Sequence, residues 1–103
     1  MHVISKRPFL NAAKKYPNDR EAIMDIYNVL RRGDFETPSQ LKNTFASLDN
    51  FKYKDKWWVI DIGGNNLGLL AAILFSCQKI YVKHIVTHAE YNKLTLRYKR
   101  GEL

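Results

Sequence analysis

The 103-residue sequence predicts an α+β domain in which helices precede a strand meander and one helix closes the chain. Three observations carry that expectation. The stretch Trp57–Tyr91 holds three strand-like runs separated by short turns. Residues Ile23, Ile26, Tyr27 and Leu30 follow the i, i+3, i+4, i+7 spacing of an amphipathic helix. Thr87-His88-Ala89-Glu90 then has the form of a capping box, with Thr87 capping and Glu90 at the third helical position.

Taken in order, His2–Ser5 is β-branched in its middle and suits a short edge strand. Pro8 fits the first turn of a helix, where its missing N–H costs little. Phe9, Ala12, Ala13 and Tyr16 mark the buried face of that helix, and Pro17 ends it. Asn18-Asp19-Arg20-Glu21 resembles a second capping box with Asn18 as the N-cap. Arg31 and Arg32 fall in the last turn of the helix that follows, where cations favour the helix dipole, and Gly33 is expected at C′. Thr37-Pro38-Ser39-Gln40 opens a short helix to about Phe45. Ser47–Lys56 is rich in turn residues and leaves room for a short strand.

Trp57–Ile62 is the first strand of the meander. Gly63-Gly64-Asn65-Asn66 is its turn, because glycine and asparagine tolerate the positive φ of tight hairpins. Leu67–Phe75 is almost wholly apolar and should lie centrally in its sheet. Gly68 interrupts that strand, where glycine often marks a bulge or a close backbone approach. Ser76-Cys77-Gln78 turns the chain into Lys79–Val86, in which Ile80, Val82, His84 and Val86 alternate with Tyr81, Lys83 and Ile85. Leu94 and Tyr98 are the expected anchors of the last helix, and Lys93, Arg97 and Arg100 share one side of it.

Length and organisation point to a single domain over residues 1–103, without repeats or linkers. No apolar run is long enough to cross a bilayer, so no membrane association is expected, and the polar N-terminus makes the cytoplasm the expected location. One cysteine, Cys77, allows neither an internal disulfide nor a cysteine-based metal cluster. Seventeen Lys and Arg against ten Asp and Glu give a net charge of +7, an electrostatic footprint suited to a polyanion. The excess is spread over both halves, so a folded surface rather than a basic tail would carry the binding.

There is no phosphate-cradling GxxxxGK[ST] loop and no nucleophile elbow, and the three histidines lack metal-ligand spacing. His84 lies among apolar strand residues and is expected to be structural. The remaining cluster is His88, Tyr91, Lys83, Tyr81, Arg97 and the polar turn residues Asn65 and Asn66. Metal-free RNA cleavage needs a base for the 2′-hydroxyl, a cation for the phosphorane and an acid for the leaving oxygen. These residue types suit those tasks, and aromatics beside cations suit unstacked bases.

Leu48-Asp49-Asn50-Phe51-Lys52-Tyr53, the strand ending in Gly63-Gly64-Asn65, and Val86-Thr87-His88-Ala89-Glu90-Tyr91 together resemble the HigB toxins of the RelE-like superfamily. The resemblance covers essentially the whole chain. It implies a RelE-like fold, with N-terminal helices packed on a mainly antiparallel sheet and a C-terminal helix. It further implies a type II toxin, an endoribonuclease that cuts translated mRNA on the ribosome without metal or cofactor. The implied partner is a HigA-type helix-turn-helix antitoxin, through which the pair would reach operator DNA. Carried over by motif, His88 takes the general acid/base role and Tyr91 substrate positioning or proton transfer; both residues would also serve in capping and packing. Lys83, Arg97, Asn65 and Tyr81 are the candidate RNA contacts. At Gly68 the family pattern has an arginine, the natural phosphate clamp, so an attenuated toxin is expected unless Lys83 or Arg97 substitutes. The alternatives are a non-catalytic RNA- or ribosome-binding module and a co-repressor subunit acting with the antitoxin.

Overall fold

A computed structural model describes residues 1–102. Four α-helices and a five-stranded sheet are present among these residues, in the order β1 (His2–Ile4), α1 (Arg7–Lys15), α2 (Arg20–Arg32), α3 (Pro38–Thr44), β2 (Asp49–Asn50), β3 (Trp57–Ile62), β4 (Leu67–Leu74), β5 (Lys79–Thr87) and α4 (His88–Lys99). The sheet order is β1-β5-β4-β3-β2. β1 runs parallel to β5 and every other pairing is antiparallel. The apolar β4 is the middle strand, as its composition predicts.

The two faces of the sheet bury different things. On one, Ile60, Ile62, Leu67, Leu69, Ile73 and Ile80 pack with Phe9, Ile23 and Leu30 of α1 and α2 to form the main core. On the other, Phe51, Val59 and Leu70 form a smaller core, covered by Tyr91 and Tyr98 of α4 and flanked by Tyr53 and Trp57. Alternate residues of β3 and β4 serve alternate faces, the direct consequence of the two-residue period of a strand.

β5 does not keep that period. Leu70 pairs with His84 and Ala71 with Val82, so Lys83 is an extra, unpaired residue in a β-bulge. The bulge shifts the phase of the strand. Ile80, Val82 and Ile85 face the main core, whereas Tyr81, Lys83 and His84 belong to the α4 side. The uninterrupted alternation expected from sequence is therefore corrected. Gly68, by contrast, marks no bulge: it pairs regularly with Asp61 and Val86, and a Cβ built on it meets only ordinary contacts, at 3.8 Å to Tyr91 Cδ2 and 3.9 Å to Val59 Cγ2. Neither a bulge nor a close approach demands glycine there.

Two helix ends also depart from expectation. Asn18 lies in a 3-10 turn over Pro17–Asp19, and Asp19 occupies the N-cap of α2 without a capping bond from its side chain. Its carboxylate instead accepts from Asn66 Nδ2 at 3.1 Å, tying the helix start to the β3–β4 turn. Gly33 has φ −88° and ψ 157°, extended rather than left-handed, and the space its missing side chain leaves is filled by the Phe35 ring. The turn glycines behave as their chemistry requires, Gly63 at φ +61° and Gly64 at φ +71°. The Thr37 and Thr87 caps form as expected, each hydroxyl accepting at 3.2 Å from a backbone N–H, of Gln40 and Glu90 respectively.

Candidate RNA-facing site

Sheet register decides what gathers around the start of α4. Ile62 pairs with Leu67 and Leu67 with Thr87, so the β3–β4 turn and the cap of α4 share one end of the sheet. His88 is the first residue of α4 and is exposed there. One turn on, Tyr91 packs edge-on to the His88 ring, with centroids 5.9 Å apart and planes at 88°. The other side of Tyr91 meets Phe51, at 6.3 Å between centroids. Its ring stands over strand position 68.

The charges around this point are acidic. Asp61 lies directly across from Gly68, and its backbone N–H is held by Ser47 Oγ at 3.0 Å. Burial pushes the Tyr91 phenol above its ordinary pKa; the Asp49 and Asp61 carboxylates push the same way, and the Thr95 hydroxyl opposes. Near neutral pH the Tyr91 phenol is therefore a hydrogen-bond donor rather than a phenolate. The His88 imidazole is exposed, and the Gly68 position offers no cation for a phosphate.

The other candidate residues fall into separate patches of the same sheet face. Asn65 is exposed at the turn, at the His88 end of the sheet. Asn66 is engaged by Asp19. Tyr81 lies at the opposite end of β5, and the Lys83 ammonium sits 5.7 Å from the Trp57 ring centroid and 6.0 Å from that of Tyr81. Arg97 lies nine residues beyond His88 on α4, roughly 13 Å along the helix axis. It lines a groove of about 250 Å³ with His84, Val86, Glu90, Lys93 and Leu94. Arg100, expected on the same side, is 3.9 Å from Glu102. His88, Tyr91, Gly68 and Asn65 thus share one end of the sheet, while Lys83 with Tyr81, and Arg97, lie elsewhere.

Other side chains hold this face together without belonging to the candidate cluster. His84 Nε2 is 2.9 Å from the Tyr98 hydroxyl, which fastens α4 to β5. Burial first, and the Lys83 ammonium second, hold the His84 pKa below its ordinary value, so the neutral ring is favoured. Its structural role matches expectation. Tyr98 anchors α4 as expected, packed on the smaller core, whereas Asp61 and Trp57 carry no local signal that could have placed them beside the site. Among the described residues no three His, Cys, Asp or Glu side chains converge as a metal-holding group.

Comparison with known proteins adds an independent line. Residues 19–94 match the model of the HigB toxin family, described as the RelE-like toxic component of a toxin–antitoxin system. The chain is 50% identical over 102 residues to an mRNA interferase HigB of Escherichia coli O6:H1, covering 99% of each chain. It is 41% identical over 95 residues to the mRNA interferase toxin HigB of Escherichia coli K12, covering 92% of this chain and 91% of that one. An mRNA interferase HigB of Shigella flexneri matches to the same extent.

Proposed function

Because the chain belongs to the HigB family, the RelE-like toxic component of a toxin–antitoxin system, we propose that it is an endoribonuclease that cleaves translated mRNA on the ribosome. The observation that supports this reading most is the placement of His88 and Tyr91 at the start of α4, with their rings in contact and that of Tyr91 over strand position 68. In this reading His88 exchanges protons with the ribose hydroxyl or the leaving oxygen, and Tyr91 donates a hydrogen bond that orients the phosphate. No metal enters; the charge of the phosphorane is met by cationic side chains. The site of action is the cytoplasm, where ribosomes translate.

A toxin of such a system has an antitoxin partner. We assign it to the HigA type, a helix-turn-helix protein that carries the pair to operator DNA. This chain would then act as co-repressor without reading DNA itself.

The attenuation proposed for this chain rests on Gly68. Where the family pattern has arginine, this chain has no side chain, and the charges acting on Tyr91 next to it are those of Asp49 and Asp61. Loss of one electrostatic contact to a transition state costs on the order of 10²–10³ in rate. The test is growth and mRNA cleavage on induction without antitoxin, comparing this chain with Gly68→Arg. A variant that arrests growth and cuts translated mRNA, beside a weakly active parent, supports the reading. Equal cutting by both would make Lys83 or Arg97 the working cation. The acidic surroundings of Gly68 favour one further reading, a ribosome-binding module without catalysis; it prevails if neither protein cuts when ribosomes are present.

A further inference from the structure

The far end of the α4 face carries a feature that the catalytic reading does not use. Trp57 pairs with Ala72 on β4, and Ala72 pairs with Tyr81 on β5. These three therefore form one row across three strands, with a small residue between two large rings. Strand spacing puts the outer two backbones roughly 9.6 Å apart. Both residues are half-buried. The Lys83 ammonium lies within reach of both, at 5.7 and 6.0 Å from their centroids, placed there by the bulge. Lys54 adds a second ammonium 5.6 Å from the neighbouring Tyr98 ring.

We infer that the Trp57–Ala72–Tyr81 row is a stacking slot for one unstacked base of single-stranded RNA, with Lys83 as its phosphate contact. Two aromatic walls with a small floor accept a planar ring of any sequence, and an exposed lysine on a flexible stem can leave the ring for the backbone phosphate. Ala72 lies four positions beyond Gly68 on β4, so the slot lies roughly 13 Å from the His88–Tyr91 centre. It would hold the strand in register beyond the scissile bond. The choice of RNA over another polyanion rests on the nuclease reading above, but the test needs no cleavage.

The probe is a hexanucleotide with 2′-O-methyl riboses, which lacks the hydroxyl that internal cleavage requires. Trp58 faces the main core beside Phe75, so Trp58→Phe leaves Trp57 as the reporting indole. The probe should quench Trp57 emission. Tyr81→Ser should weaken binding roughly tenfold. Lys83→Ala should flatten the salt dependence by about 0.7 in log–log slope. Because the Lys83 side chain is exposed, that variant carries the test if Tyr81→Ser does not fold. Quenching that survives His88→Ala, or that persists when Gly68→Arg cuts no mRNA, would leave the slot standing independently of catalysis. The inference is overturned if the probe binds without quenching, or if both slot variants bind like their parent. It is equally overturned if the purified antitoxin, and no RNA, occupies Trp57.

Discussion

Gly68→Ala separates what the strand needs from what the chemistry needs. The position has no left-handed backbone, lies in the central strand with regular pairing on both sides, and has open space at van der Waals distance for one methyl group. Glycine in a strand interior costs roughly 0.5–1 kcal/mol relative to alanine, because the unfolded chain loses more freedom. The new methyl would lie 3.8 Å from the Tyr91 ring and 3.9 Å from Val59, contacts that add to that gain rather than oppose it. For a domain of this size 1 kcal/mol corresponds to roughly 4–8 °C in Tm. Thermal unfolding by circular dichroism should therefore place Gly68→Ala several degrees above the parent, with the urea m-value unchanged. Alanine supplies no cation, so mRNA cleavage should stay at the parent level while Gly68→Arg raises it. A Tm equal to or below that of the parent would mean that the backbone at position 68 requires glycine, and the physical basis for regarding it as a lost side chain would fail.

Other perturbations have equally direct readouts. Gly63→Ala forces a left-handed backbone at φ +61° and drives a methyl into Asp19 Oδ1, so urea unfolding should show a loss of at least about 1–2 kcal/mol. Thr87→Ala removes the cap that receives the Glu90 N–H and should cost about 1 kcal/mol, with faster amide exchange in the first turn of α4. Tyr98→Phe removes the 2.9 Å bond to His84 and should cost about 1 kcal/mol at neutral pH. Since the folded state holds the His84 pKa below that of the unfolded chain, unfolded protein binds the extra proton first as pH falls. Stability from this group is complete above about pH 6.5 and declines below it toward the folded pKa. The urea midpoint should drop between pH 8 and pH 5, and His84→Gln should lessen that drop.

Local chemistry explains which parts of the fold were legible. The β3 boundaries, the two left-handed turn glycines and the Thr87 cap each depend on a few consecutive residues, and each was read correctly. The bulge at Lys83 was not, because Ile80–Val86 alternates cleanly on paper. Its cause is distant: Ile85 packs into the core with α1 and α2, whereas His84 must reach Tyr98 on α4, so both faces make demands on adjacent residues. The start of α2 falls at Asp19 rather than at the expected N-cap Asn18, and the partner that engages Asp19, Asn66, lies 47 residues away. In the candidate site, His88 and Tyr91 stand one helical turn apart and could be paired by spacing alone. Asp61 and Trp57 reach their neighbours only through register between strands, which a single sequence does not encode visibly. Gly68 is visible as a strand glycine, but the arginine expected in its place is suggested by the family resemblance alone.

The edge strand β1 has a temporal consequence. His2 pairs with Lys79, three quarters of the chain away, and among the described residues β5 is the sole strand neighbour of β1. Closing so long a loop gives no return until the distant partner exists. As the chain emerges during its own synthesis, β1 must wait unpaired until β5 has been made, and α4 comes later still. Main core, sheet edge and the His88 end of α4 are thus completed almost together, only once β5 has emerged. A nascent chain interrupted before β5 is an unfinished sheet rather than a partly assembled toxin.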